Sequence, residues 1–402
     1  MRVPPQARLL PDRRRLHLQH GPIDLVIDAV GGDTSGTPAP CPADLDTVIP
    51  DAVQREAVLR RSGTHGSLSE PEAVHTSCEP WVPGSASRPR NDGTWQPRKD
   101  LQHDEGPAVI EAYRAATARF ATILDELCAE LPLLRAAAPP GPCRLVGRIA
   151  RRMDAAVRPF AVDGFVTPMA AVAGAVAEEV LAAMTAAAPL RRTSVNNGGD
   201  IALHLAPGES LCIGLVDRPA RPSLFGAATV RAEDGIRGVA TSGWRGRSFS
   251  LGIADAVTIL ARTAAEADAA ATIVANAVDL PSHPAVSRMP ARDVQEDSDL
   301  GGMLVTRGVG PLSRAEIDEA LARGVTMADE LIAGGLIEAA ALYLQGTTVM
   351  AHMPSPLRGG RNRAKREPGG GGAEGTAGVS PCATPTPALR FAPARPSPQG
   401  GG

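Results

Sequence analysis

The sequence predicts an α+β fold, in which one domain of mixed and antiparallel sheets packs against helices and carries a disordered insertion and a disordered C-terminal tail. Segments with alternating apolar residues, typical of strands, are interspersed with longer segments whose apolar residues recur at helical spacing. Two other stretches are rich in Pro, Gly, Ser and Arg. The 402 residues would suffice for two domains, but these stretches indicate that much less of the chain is folded.

The disordered part of this prediction consists of residues 33–105 and 354–402. Neither segment has enough patterned apolar residues to offset the conformational entropy lost on ordering. The C-terminal segment is also basic. A basic tail can contact RNA or an acidic surface, but a solvated tail is the favoured interpretation.

The composition argues against several classes of protein. A net charge of −3 is not typical of a nucleic-acid-binding protein. The six cysteines are widely spaced without metal-ligand patterns, which favours reduced thiols over a zinc site or a disulfide framework. The N-terminus lacks the apolar region of a signal peptide, and no uninterrupted apolar stretch reaches membrane-spanning length. We therefore expect a soluble cytoplasmic protein, with its oligomeric state left open.

The first predicted element is a hairpin within residues 7–31. Leu16 and Leu18 alternate with polar residues, and the alternation resumes from Ile23 after a turn that contains Gly21. We assign this hairpin to the main domain, which continues at residues 106–353.

Three helices are expected next, at about 107–130, 143–157 and 167–187. The first is amphipathic. The second carries four arginines around its apolar face, which can contact a phosphate but are better explained as a solvated face. The third is built from small residues, so a neighbouring segment or a ligand can approach its backbone closely. A buried core helix is the favoured interpretation.

Strands dominate the following region, and two more helices and a closing hairpin complete the domain. Thr263 and Glu266 predict the start of a helix over 264–277, and Ser313 begins another that we expect to end near Gly324. The predicted strands are 193–196, 201–205, 211–216, 226–231, 236–241 and, around a Gln-Gly turn, 341–344 and 347–350.

The turn at Asn196-Asn197-Gly198-Gly199-Asp200 is the first candidate for function. Taken alone, it predicts a β-hairpin turn of the Asn-Gly type. Its two glycines also allow the main chain to approach a ligand, and consecutive N–H groups of such a turn can bind an anion.

Two further segments supply polar groups. Thr241-Ser242-Gly243 offers two hydroxyls suited to phosphate or ribose oxygens, although a tight turn is the favoured interpretation of this segment taken alone. Asp268 and Thr272 are one helical turn apart, so together they can hold a hard cation such as Mg²⁺. The simpler interpretation is two polar residues on an Ala-rich helix.

The three segments together resemble the motifs of the ApbE superfamily, whose members transfer FMN from FAD to a protein threonine with Mg²⁺. The resemblance is carried by 195–201, 240–243 and 267–272, in this order and spacing. It is closest to an uncharacterised ApbE-like branch, through similarities at 168–178 and 250–260. It implies FAD and Mg²⁺ as cofactors and an acceptor protein as partner. It implies metal ligation by Asp268 and Thr272, and flavin-nucleotide binding by Asn197, Gly198, Gly199, Asp200, Thr241, Ser242 and Gly243.

The chain also departs from the superfamily pattern. The characteristic Asp-x-Gly-Gly-Ile-Ala-Lys-Gly stretch is replaced by 167–174, where Ala173 stands in place of the lysine and only Gly174 is kept. The His-Ile-Ile-Asp-Pro motif is replaced by 250–255, which contains Asp255 but no histidine. A group suited to acid–base chemistry or phosphate contact is thus missing, and no catalytic residue is assigned. Three functions stay open: FAD binding with Mg-dependent FMN transfer, ligand binding without catalysis, and a different enzyme activity on the same fold.

Overall fold

A computed structural model of the chain describes most of the predicted domain. Of the two segments expected to be disordered, 33–105 and 354–402, it describes only two short strands, and the rest of both lies outside the described residues. The described residues are 4–12, 14–32, 47–48, 106–138, 141–162, 164–216, 224–352 and 390–393.

Within these ranges the chain alternates between strands and helices. The strands are β1 Gln6–Leu9, β2 Leu16–His20, β3 Ile23–Gly31, β4 Thr47–Val48, β5 Leu190–Asn197, β6 Asp200–Leu205, β7 Ser210–Val216, β8 Leu224–Arg231, β9 Gly238–Ser242, β10 Ala256–Ala261, β11 Val286–Pro290, β12 Leu304–Val309, β13 Ala339–Leu344, β14 Thr347–His352 and β15 Arg390–Pro393. The α-helices are α1 Pro107–Ala129, α2 Leu131–Leu134, α3 Arg148–Val157, α4 Val172–Ala187, α5 Ala264–Ala277, α6 Ala291–Val294 and α7 Arg314–Ala333.

A nine-stranded antiparallel sheet forms the centre of the fold. Its strand order is β1-β2-β3-β5-β6-β9-β10-β13-β14. The N-terminal hairpin is part of this sheet, because β3 pairs with β5 along most of its length. A second sheet has the order β15-β8-β7-β4, in which β4 and β7 are parallel, and β11 pairs with β12 separately. The predicted α+β class of mixed and antiparallel sheets with packed helices is confirmed.

The large sheet is covered on both faces. On one face, α1, α3 and α4 pack on the N-terminal half of the sheet and α5 and α7 on the other half, around residues such as Phe120 and Val274. On the opposite face, Leu203 and Val239 of the large sheet pack against Ile213 and Val230 of the second sheet. Alternate residues of each central strand therefore belong to different cores.

Helix α4 is a core helix, as its small residues predicted. A Cβ atom on Gly174 would overlap the backbone carbonyl of Ala264 at the start of α5, so the two helices touch through their main chains. With the preceding 3₁₀ turn, the helical segment Pro168–Ala187 is long and apolar enough to cross a membrane, but half of its most apolar stretch is buried inside the fold.

Two helix boundaries differ from the prediction. Helix α3 begins at Arg148 rather than near 143, because the Glu130 carboxylate accepts the N–H groups of Val146 and Gly147, both at 2.7 Å. Helix α7 continues through Gly324 to Ala333. Gly324 is not a stop signal here: a Cβ at this position would lie 2.6 Å from the Leu342 side chain, so the glycine permits close packing on the sheet.

Candidate functional site

The Asn-Asn-Gly-Gly-Asp segment forms the two-residue hairpin between β5 and β6, as predicted. Asn197 pairs with Asp200 across the turn, and Gly198 and Gly199 occupy its tip with φ values of +69° and +119°. Positive φ at both positions explains the requirement for glycine. The Asn196 side chain stabilises the turn by accepting the N–H of Gly199 at 2.9 Å.

Asn197 connects this turn to the start of α4. Its Nδ2 atom donates a hydrogen bond of 3.1 Å to the carbonyl oxygen of Ala173. Asn197 is buried, so the turn is held in a fixed position against the helix. Ala173 occupies the position where the superfamily pattern has lysine, and here its main chain makes the contact.

Asp200 forms a hydrogen bond with the end of β9, where Thr241-Ser242-Gly243 begins. The backbone N–H of Thr241 donates to Asp200 Oδ1 at 3.3 Å. The Thr241 hydroxyl, in contrast, lies 2.9 Å from the hydroxyl of Thr258. Thr241 alternates with Val239, which packs between the two sheets, so its side chain points away from the helices. Thr241 therefore contacts Asp200 through its main chain and not through its hydroxyl.

Ser242 and Gly243 are placed differently. Ser242 is half-buried and alternates with Ala240, whose side chain lies in the core under α5 and α7, so Ser242 belongs to the helix-covered face. Gly243 is buried, and a Cβ there would lie 2.9 Å from the carbonyl oxygen of Ala254. The glycine is required by close packing of the main chain.

Asp268 on α5 approaches the first turn of α4. Its Oδ2 atom accepts the N–H of Gly174 at 3.0 Å, and the N–H of Ala173 also bonds to this carboxylate. The N–H groups in the first turn of a helix have no partner within the helix, so Asp268 caps α4. In return, Glu178 of α4 accepts the N–H of Ala265 in the first turn of α5 at 2.7 Å. Each helix thus caps the other.

Asp200 and Asp268 form an interacting pair of acids, which we call the carboxylate pair. Burial raises the pKa of Asp268 well above its usual range, and the charge of Asp200 raises it further. Burial also raises the pKa of Asp200 to about 7, against the opposing effects of the Thr241 N–H and the charge of Arg247. Both side chains are half-buried. The hairpin turn, the end of β9 and helix α5 therefore converge on one pair of acids.

Thr272 lies one turn further along α5 from Asp268 and is half-buried. The residues at this end of α5 are mostly alanines, which leave the two polar side chains on one helix face. The site thus presents two carboxylates and a hydroxyl, the hard oxygen donors that Mg²⁺ prefers. Because a divalent cation would offset the repulsion within the carboxylate pair, these residues fit such an ion. Among the described residues there is no cluster of three or more His, Cys, Asp or Glu side chains suited to a metal.

Asp255, which stands in the segment that replaces the histidine motif, has a structural role. Its Oδ1 accepts hydrogen bonds from Trp244 Nε1 at 3.2 Å and Arg245 Nε at 2.6 Å, and its Oδ2 accepts the N–H of Gln345 at 2.7 Å. Both oxygens are occupied in a buried position. Asp255 therefore does not replace the missing acid–base group.

The arginines of α3 also have structural partners. Arg152 bridges Glu178 at 2.9 Å and Glu179 at 3.0 Å. Arg148 is largely exposed and lies 3.7 Å from Glu179. The solvated-face interpretation holds for Arg148, whereas Arg152 joins α3 to α4, a role that helical periodicity alone does not indicate.

The profile of the protein family described as AbpE bacteria matches residues 100–350, which is more than half of the chain. The chain belongs to this family. The resemblance to ApbE-like proteins expected from the three motifs is therefore confirmed, and the match includes β5, β6, β9, α4 and α5.

Archaeal relatives support the prediction of a separate ApbE-like branch. A UPF0280 protein of Methanothrix thermoacetophila is 34% identical over 219 residues, which cover 52% of this chain and 87% of the relative. A UPF0280 protein of Methanopyrus kandleri is 41% identical over 129 residues, 32% of this chain, and the chain spans 48% of that relative's length. Among solved structures, the apo form of the flavinyl transferase ApbE of Pseudomonas stutzeri matches with 14% identity and a TM-score of 0.31, covering 62% of this chain and 88% of that one.

Proposed function

We propose that this protein binds a flavin nucleotide, FAD, beside the carboxylate pair, with Mg²⁺ held by Asp268 and Thr272. The observation that carries the proposal is the convergence of the three motif segments on the carboxylate pair. Thr241 N–H meets Asp200 at 3.3 Å, Gly174 N–H meets Asp268 at 3.0 Å, and the two acids interact. Membership of the AbpE family makes a flavin nucleotide the best-supported ligand.

Main-chain N–H groups and acidic side chains of the protein would hold the binding site in position before the nucleotide binds. The N–H groups of Ala173 and Gly174 orient Asp268, and Asp200, at the end of the hairpin turn, lies close enough for its charge to act on Asp268. When bound, Mg²⁺ would supply positive charge next to the diphosphate of the nucleotide. Thr272 would contribute its hydroxyl oxygen to the same ion.

FMN transfer is the second candidate function, and family membership favours it. In that reaction a hydroxyl of an acceptor protein attacks the FMN-side phosphorus of FAD and AMP leaves. Two observations favour binding over transfer. Ala173 offers only its main chain where the superfamily has lysine, and Asp255 is fully engaged with Trp244, Arg245 and Gln345. We therefore propose FAD binding as the primary activity, in a cytoplasmic protein.

A titration of the 402-residue chain with FAD, followed by flavin fluorescence, tests the proposal. We expect saturable binding in the presence of Mg²⁺ and much weaker binding in EDTA. Absence of FAD binding with Mg²⁺ would contradict the proposed function. Release of AMP from FAD in the presence of a threonine-containing acceptor protein would assign transfer, whereas binding without AMP release would assign binding alone.

A further inference from the structure

Arg247 lies directly against the hairpin turn that forms one side of the proposed site. A Cβ atom on Gly198 would overlap the Arg247 guanidinium, with Cζ only 2.8 Å away. The guanidinium therefore occupies the space left open by the missing side chain of Gly198. The Arg247 side chain is exposed to solvent, and its charge also acts on Asp200. A cation thus lies at the turn, close enough to Asp200 for its charge to act on that carboxylate.

Arg247 differs from other arginines near the site in making no hydrogen bond to any residue that the structure describes. Arg245 is bound to Asp255 at 2.6 Å and stacks on Trp244 at 4.3 Å. Arg152 is bound to Glu178 and Glu179. Across the described part of the chain, the Arg247 guanidinium makes no hydrogen bond or ion pair to another residue.

A cationic side chain at this position would favour the binding of an anionic ligand to the site. An anionic ligand beside two acidic side chains is repelled whenever either acid is ionised, and a cation from the protein, in addition to a metal, offsets that repulsion. The superfamily lysine position is Ala173, which provides no charge. A guanidinium offers five N–H donors in a planar fork that matches phosphate oxygens in a bidentate arrangement.

We infer that Arg247 binds the phosphate groups of the nucleotide beside the Gly198-Gly199 turn and supplies positive charge from the protein, in addition to that of the proposed Mg²⁺. The inference rests on the proposed function for the identity of the ligand. It adds a binding residue, the Arg247 guanidinium, which would hold the diphosphate from its position against the glycine turn. Arg247 is assigned as a binding residue.

The test compares Arg247→Ala with Arg307→Ala, a matched control on an exposed arginine of β12. Affinities for FAD, ADP and riboflavin are measured with Mg²⁺ present. Loss of a charge-assisted contact predicts that Arg247→Ala weakens FAD and ADP binding by about 10- to 100-fold. Riboflavin, which has no phosphate, should bind equally well to both variants. Arg247→Lys, which keeps the charge but not the fork, should fall between the wild type and Arg247→Ala.

The outcomes separate this inference from the proposed function. If the wild type binds FAD and Arg247→Ala binds it equally well, the inference is wrong and the proposed function stands. If the wild type does not bind FAD but binds ADP in a manner sensitive to Arg247→Ala, the flavin proposal is wrong and the phosphate role stands. Equal losses for FAD, ADP and riboflavin would overturn the phosphate role, since they would indicate a general disturbance of the site. Absence of binding to all three ligands would overturn both.

Discussion

The Asp268 carboxylate accepts the backbone N–H of Gly174 at 3.0 Å, so a residue of α5 caps the first turn of α4. Glu178 of α4 makes the converse contact with Ala265 of α5 at 2.7 Å. Reciprocal capping fixes the relative position of the two helices. It also places a carboxylate with an unusually high pKa at the site where the nucleotide is proposed to bind.

The first prediction separates the capping role of Asp268 from its charge. Asp268→Asn keeps an oxygen that can accept the Gly174 N–H and removes the repulsion with Asp200. We expect its free energy of unfolding at pH 8 to equal or exceed that of the wild type. Asp268→Ala removes the acceptor and should be less stable than Asp268→Asn by about 1 kcal/mol. Urea denaturation of the three proteins measures this, and equal stability of the two variants would refute the capping role.

The second prediction concerns the pH dependence of stability. The pKa of Asp200 is raised to about 7 in the folded protein, from about 3.9 in an unfolded chain. Between these values the folded state holds a proton that the unfolded state has lost. The contribution of Asp200 is therefore fully present below about pH 4 and is lost as the pH rises through about 7.

Denaturation of the wild type and Asp200→Asn at pH 5 and pH 8, without divalent cations, measures this contribution. The variant should gain stability relative to the wild type as the pH rises, because its amide does not ionise. The comparison between proteins removes the effects of other carboxyls, such as Glu316, whose pKa is lowered to about 2 by the Ser313 N–H. The same stability difference between the two proteins at both pH values would contradict the raised pKa of Asp200.

The third prediction tests the close contact between α4 and α5. A Cβ on Gly174 would overlap the Ala264 carbonyl, and a backbone carbonyl cannot move aside as a flexible side chain can. Gly174→Ala should therefore destabilise the protein by about 1–3 kcal/mol. Gly164→Ala is the matched control, since a Cβ there meets nothing within 4 Å. Thermal unfolding should show a lower Tm for the first variant only, and equal Tm values would argue against the helix contact.

The fourth prediction is that Asp255 stabilises the fold, whereas Asp268 is proposed to bind the ligand. Asp255 is buried and accepts hydrogen bonds from Trp244, Arg245 and Gln345. Asp255→Asn places an amide among these donors and should lower the free energy of unfolding by about 1–3 kcal/mol. FAD affinity, measured at a temperature where the variant is folded, should change little. A large loss of FAD affinity with unchanged stability would instead place Asp255 in the binding site.

Local sequence signals predicted the elements that depend on neighbouring residues. The Asn-Gly-Gly-Asp segment predicted a hairpin turn, and the turn forms there with positive φ at residues 198 and 199, where glycine is favoured. The start of α5 was predicted from Thr263, whose side chain accepts the Glu266 N–H at 3.2 Å. The closing hairpin followed from the Gln345-Gly346 turn, and both of its residues have positive φ.

Features that depend on tertiary packing were not predictable in the same way. Gly324 resembles a helix stop in the sequence, but Leu342, from a distant strand, requires the glycine. Thr241 was expected to offer its hydroxyl to a ligand, yet the strand register directs that hydroxyl to Thr258. The position of Arg247 against Gly198 depends on how the segment after β9 returns to the turn, and no local motif encodes it.

The affinity of Asp268→Asn for FAD tests the proposed site most directly. The variant keeps the capping contact and therefore the fold, but it removes the carboxylate proposed to hold Mg²⁺. We predict that FAD binds the wild type in the presence of Mg²⁺ and binds Asp268→Asn at least about tenfold more weakly, with Thr272→Val weakened in the same direction. Equal FAD affinity of the wild type and Asp268→Asn at saturating Mg²⁺ would contradict the proposal.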